Sequence, residues 1–71
     1  MKNLQTKSRM GINIKKYRSK LGLTQVDLVK KSSVKYTTLS KIESGAIKTP
    51  SVQIVAKIAK ALNVSIEDLL K

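Results

Sequence analysis

Apolar residues fall at Met10, Ile14, Tyr17 and Leu21, a spacing of four, three and four that keeps them on one helical face, and Gly22 follows as a stop. Thr24 then has the chemistry of an N-cap, with Asp27 three residues on to complete it. A short helix through Leu28 and Val29 is predicted to run to about Lys31, where Ser32 and Ser33 break it. The next helix, KYTTLSKIESG over residues 35–45, sets Leu39 and Ile42 inward and ends at Gly45. After the loop AIKT come Pro50 and Ser51, and a fourth helix carries Val52, Val55, Ile58, Ala59 and Leu62 on one face with Lys57 and Lys60 on the other. Asn63 can close it in the left-handed conformation. Ser65 caps a last short helix whose Glu67 and Asp68 suit a positive N-terminus, while Ile66, Leu69 and Leu70 can pack inward. No stretch alternates with the period of a strand. The predicted fold is all-α, a compact bundle of five short helices over residues 9–71, preceded by a flexible basic tail over 1–8.

Charge changes this picture from a generic bundle to one with a partner. Fifteen Lys and Arg stand against four acids, a formal net charge of +11. That field repels itself in the folded state, and a polyanion relieves it, with nucleic acid ahead of an anionic membrane surface. A membrane-surface helix needs aromatic anchors on one strongly amphipathic face. Here there is no Trp or Phe, and the lysines spread over several helices. The polar, basic start MKNLQTKSRMGINIKK contains no apolar run suited to export or insertion, which fits a cytoplasmic protein.

Catalysis has little to work with. The chain lacks His and Cys, removing the usual general base, thiol nucleophile and soft metal ligands. Its acids, Asp27, Glu43, Glu67 and Asp68, are assigned to helix starts and to one mid-helix position, and they do not converge as a metal site requires. No enzyme, no metal and no cofactor is expected.

Two short helices joined by a tight turn, the second presenting polar residues outward, form the arrangement called a helix-turn-helix. LGLTQVDLVKK, YTTLSKIESG and TPSVQIVAKIAKALNVSIEDLL resemble the phage repressor and Cro type of helix-turn-helix domain, the Xre-like family, over about residues 15–70. The resemblance implies a lambda-repressor-like bundle that binds operator DNA as a dimer. It further implies that Tyr36, Thr37 and Lys41 reach base edges, and that Gln25 contacts a phosphate and braces the reading helix. Thr38, the backbone around Lys48, and Lys35 are expected near phosphates, with Lys7 and Arg9 as further candidates. Ser33 occupies the turn position usually filled by Gly, Ser32 replaces an apolar residue, and Val29 replaces a small one, so that Val29 is expected to fill the volume left at Ser32.

On a wheel of about 100° per residue, Thr37, Lys41 and Ser44 lie nearly opposite Leu39 and Ile42. Thr37 and Lys41 stack one turn apart, a rise of roughly 6 Å, close to two base-pair steps of about 3.4 Å. Lys41 can donate to guanine O6 and N7, and Thr37 can offer its methyl to thymine. Tyr36, at the edge of the apolar side, keeps two readings: ring or hydroxyl at DNA, or ring packed over the turn. Glu43 points toward the buried side, where an unpaired carboxylate is unfavourable, and Arg18 on the first helix can meet it; the resemblance implies the same bridge. For a homodimer the surface left over is Val64, Ser65, Ile66 and Leu69. An antitoxin with a toxin partner, or a controller of a restriction–modification operon, uses the same domain. A basic module that binds an acidic protein is the alternative outside DNA binding.

Overall fold

A computed structural model describes residues 9–71, which form five α-helices with no strand among them. They are α1 (Arg9–Lys20), α2 (Gln25–Ser32), α3 (Tyr36–Ser44), α4 (Val52–Leu62) and α5 (Ile66–Leu70). The tail expected over residues 1–8, including Lys7, lies outside the described residues.

Sequence chemistry sets the ends of these helices. Thr24 Oγ1 accepts from the Asp27 N–H at 3.1 Å while the Asp27 carboxylate accepts from the Thr24 N–H at 2.9 Å. Ser65 and Asp68 repeat the motif at α5. These hydrogen bonds, from Thr24 and Ser65 respectively, hold both carboxyls below the ordinary aspartate range. Ser51 caps α4 through the Ile54 N–H. At the other ends, α2 closes on Ser33 (φ 63°) and α4 on Asn63 (φ 63°), both left-handed.

The core is one cluster: Ile14 of α1, Leu28 of α2, Leu39 and Ile42 of α3, Val55, Ile58, Ala59 and Leu62 of α4, and Leu69 of α5, with Val34 from the α2–α3 turn. Four expected core positions sit outside it, the first being Ile66, which opens α5 and is 37% exposed. Leu21 lies past the last turn of α1 and is half exposed. Val52 opens α4 before any neighbour reaches it, at 74% exposure, and Leu70 ends α5 with 55% exposed. Each has the right phase and the wrong height along its helix.

The turn between α2 and α3 explains its own unusual residues. Ser32 is buried, and its Oγ accepts from the Val34 N–H at 3.2 Å, satisfying a backbone donor that an aliphatic residue would leave unpaired. Val29 packs, partly buried, against the core. Ser33 carries a Cβ in a conformation that glycine adopts without strain. Ser33→Gly should raise the unfolding free energy by up to about 1 kcal/mol in denaturant titrations, since relief of the left-handed penalty exceeds the entropy glycine adds to the unfolded chain.

α1 and α3 cross at Gly11. A methyl group there would meet the carbonyl oxygen of Ile42 and come within 2.7 Å of that of Glu43, both backbone atoms at the end of α3. Gly11→Ala is favourable for an isolated helix by roughly 0.5–1 kcal/mol, yet here it forces two helices apart. Thermal melts should show net destabilisation of about 1–3 kcal/mol; a stabilised variant would contradict the close crossing.

Candidate nucleic-acid interface

The outward face of α3 is held from behind by a buried ionic knot. Glu43 is 3% exposed. Arg18 donates to it in parallel, Nε to Oε2 at 2.9 Å and Nη2 to Oε1 at 3.0 Å, and its Nη1 donates to the Leu23 carbonyl at 2.9 Å. Gln25 Nε2 donates to the same Oε1 at 2.9 Å. One carboxylate thus gathers α1, the α1–α2 loop, the first residue of α2 and the end of α3. No buried side-chain polar atom among the described residues lacks a partner.

This arrangement separates two roles joined in the sequence reading of Gln25. Its amide braces α3 through Glu43, leaving the second N–H of that amide for an external acceptor. The helix start beside it offers fewer free N–H groups to a phosphate than an uncapped start would. The Thr24 hydroxyl takes the Asp27 N–H, and the Asp27 carboxylate adds negative charge there. The start of α3 is the more open one. Its N-cap is Lys35, with extended backbone and no side-chain hydrogen bond. The Leu39 N–H is the first to bond back, to the Lys35 carbonyl at 3.0 Å, so the N–H groups of Tyr36, Thr37 and Thr38 precede the helical ladder. Sequence reading missed this positive helix end, although the signal was present: a lysine stands where Ser, Thr, Asp or Asn usually caps.

Thr37 and Lys41 are exposed on the side of α3 away from Leu39 and Ile42, and Thr38 is partly buried beside them. Tyr36 is 50% exposed, so its ring neither enters the core nor stands wholly clear of the turn. Lys35 and Lys48 are exposed at the two ends of the helix region, Lys48 in the loop after α3. That loop is fastened to α3 by the Ile47 N–H on the Lys41 carbonyl at 3.0 Å. Arg9, a phosphate candidate, instead donates through Nη1 to the Lys71 carbonyl.

The surface assigned to dimerisation needs one correction. Leu69 is fully buried, at 0% exposure, because α5 is pinned to α1 by Asn13 Nδ2 on the Leu69 carbonyl at 2.8 Å and turns that side chain into the core. It has no surface to offer a second copy. Val64 is partly buried against the core, Ser65 is exposed with its hydroxyl engaged in the cap, and Ile66 is 37% exposed. Beside Ile66 runs an apolar groove lined also by Met10, Pro50, Val52, Val55 and Leu70. No group of His, Cys, Asp or Glu among the described residues could hold a metal ion, and no described helix is long and apolar enough to cross a membrane.

A carboxylate set to depend on two partners makes the knot testable. Glu43→Ala strands Arg18 and should remove about 3–5 kcal/mol of unfolding free energy. Gln25→Ala leaves the ion pair intact and should remove only about 1 kcal/mol. Equal losses in urea titrations would mean that the arginine pair is not the dominant tie.

Residues 14–69 match the family described as Helix-turn-helix. An HTH-type transcriptional regulator of Archaeoglobus fulgidus is 40% identical over 60 residues, 84% of this chain and 84% of that protein. The HTH-type transcriptional regulator SinR of Bacillus subtilis is 36% identical over 61 residues, 86% of this chain and 55% of SinR. In three dimensions, the N-terminal DNA-binding domain of SinR from Bacillus subtilis superposes with a TM-score of 0.87 at 34% identity, covering 90% of this chain and 93% of that one. The crystal structure of SinR, the master regulator for biofilm formation, in complex with DNA gives 0.84 at 35% identity, covering 87% and 98%. The match runs from the middle of α1 into α5, and the chain belongs to the Xre-like helix-turn-helix family of DNA-binding transcriptional regulators, a non-enzymatic class.

Proposed function

We propose that this chain is a cytoplasmic, sequence-specific repressor that binds a near-palindromic operator in double-stranded DNA as a homodimer. The observation that carries the reading is the pairing of Thr37 and Lys41, exposed one turn apart on a helix whose inner side is locked by Glu43, Arg18 and Gln25. A rigid polar face on a short helix suits entry into the major groove, where Lys41 donates to guanine and Thr37 packs on thymine or bonds a base edge. Tyr36 reaches the flanking base from the half-exposed helix start. Lys35, Thr38, Lys48 and the free amide N–H of Gln25 take phosphates, with the uncapped start of α3 adding its own N–H groups. SinR, similar over most of this chain, has been crystallised in complex with DNA, which supports the same mode here.

Dimerisation in this proposal uses Ile66 and Val64 together with the exposed apolar neighbours Val52 and Leu70. A second copy covers that groove by two-fold symmetry and sets two reading helices one helical turn of DNA apart. The same geometry serves an antitoxin whose partner is a toxin, or a restriction–modification controller; the neighbouring genes separate these roles.

Selection of duplexes from a random pool should recover an inverted repeat. Against that repeat, Lys41→Ala should lose discrimination at one base position per half-site by about 1–3 kcal/mol, with little change at the others. Uniform weakening on every duplex would make Lys41 a phosphate contact, and no enrichment from the pool would overturn sequence-specific recognition.

A further inference from the structure

α3 and α4 both pack broadly on α2 without a broad contact between themselves, so α2 lies between the reading helix and α4. Beyond α2, on the α4 side, is an open cleft of about 410 Å³ lined by Lys31, Ser32, Lys57, Lys60 and Ala61. Its floor is small residues and its rim is three ammonium groups. Lys57 and Lys60 are neighbours on one helix face, and Lys31 meets them from the last turn of α2. All three are exposed, and none has an ion-pair partner among the described residues. Residues 1–8 contain no acid that could supply one. Asp68 lines the adjoining cleft with Lys60, but it is engaged by the Ser65 cap and lies 3.8 Å from Lys71 Nζ. Helix polarity accounts for lysine in the last turns of α2 and α4, at Lys31 and Lys60. It does not account for Lys57, a turn earlier, or for the concentration of all three around one hollow.

We propose that this cleft docks an acidic polypeptide segment of a partner protein, on a face that a duplex seated on α3 leaves free. Charge complementarity selects the sign of the occupant, and shape selects its kind. A DNA duplex is a convex rod far wider than the cleft, and it would touch only lysine tips. An extended chain bearing Asp and Glu can lower carboxylates between the ammonium groups, over the small Ser32 and Ala61. Flexible lysines suit such point-charge recognition without fixed bidentate geometry. The site gives the protein a way to carry a second protein while bound to DNA; only the statement that this face is free on DNA rests on the proposed reading of α3.

The test uses the full chain and a fluorescein-labelled peptide rich in Asp and Glu, read by anisotropy at physiological ionic strength. Two double variants with the same net charge are compared: Lys57→Glu with Lys60→Glu in the cleft, and Lys15→Glu with Lys16→Glu on exposed positions of α1. The cleft variant should bind the peptide about tenfold more weakly than the α1 variant, and the two should melt alike. Random duplex added to the wild-type complex should leave the peptide bound, giving a ternary species. Equal weakening in both variants would reduce the effect to net charge and overturn the site, as would absence of peptide binding by the wild type. Displacement of the peptide by duplex would place it on the reading face instead and overturn the proposal. Failure of the duplex to bind at all would count against the DNA reading alone, because the peptide comparison is made without DNA.

Discussion

Glu43 is the constraint on which the rest of the structure depends. A carboxylate at 3% exposure requires compensation, and the chain supplies it from three directions: a parallel pair of bonds from Arg18, one from Gln25, and the fixing of Arg18 itself by the Leu23 carbonyl. Burial alone would hold α3 loosely, since Leu39 and Ile42 are greasy contacts that permit rotation about the helix axis. Directed bonds at Glu43 remove that freedom. The end of α3 is then fixed in rotation by the charge pair and in distance by Gly11, whose missing side chain lets α1 approach the carbonyls of Ile42 and Glu43. Position and phase together determine where Thr37 and Lys41 point, so the buried residues and the outward residues of α3 are two consequences of one set of ties.

The legible parts of this fold were those fixed by local chemistry. Thr24 with Asp27 and Ser65 with Asp68 form capping boxes from four-residue windows, and Asn63 closes α4 for reasons internal to its own turn. Mid-helix apolar residues such as Ile14, Leu39 and Ile58 were legible because any packing partner on that face buries them. Residues at helix ends were not. Leu21, Val52 and Leu70 keep the correct phase but fall at or past the ends of their own helices, where a helical wheel carries no information about packing. Leu69 was legible as an inward-packing residue, and only its second assignment, to a dimer surface, fails: the Asn13 bond that draws α5 onto α1 spans 56 residues, and no local window contains it. Gly11 reads in sequence as a weak helical position, and only the crossing shows that its lack of a Cβ sets the interhelix distance.

The candidate site divides along the same line. The wheel identified the exposed face of α3 because exposure there needs only a helix with one apolar side, whereas the partner of Gln25 is a residue 18 positions away on another helix. Its bracing role therefore came only from the family resemblance, and the structure supplies the partner, Glu43, through one N–H of the amide. The uncapped start of α3 makes the converse point. Lys35 forms no cap, and the absence of a side-chain acceptor there leaves backbone donors that a serine would have occupied. A feature unfavourable for an isolated helix becomes useful when an anionic surface can satisfy the same N–H groups.

The net charge is set by fifteen cations against four acids, and its spread over the surface follows from how those four acids are used. Asp27 and Asp68 are tied into caps, Glu43 is enclosed by Arg18 and Gln25, and Glu67 lies in the first turn of α5, where it complements the helix dipole. Hardly any carboxylate is therefore left to neutralise lysines across the surface, and the positive field is the remainder after the fold has drawn on its negative groups. That remainder is not uniform. Part of it lies at Lys35, Lys41 and Lys48 around α3, and part at Lys31, Lys57 and Lys60 beyond α2. In the proposed binding mode a duplex docked on α3 neutralises the first group, and α2 stands between it and the second. The proposed DNA-bound state therefore keeps a second cationic surface for another partner.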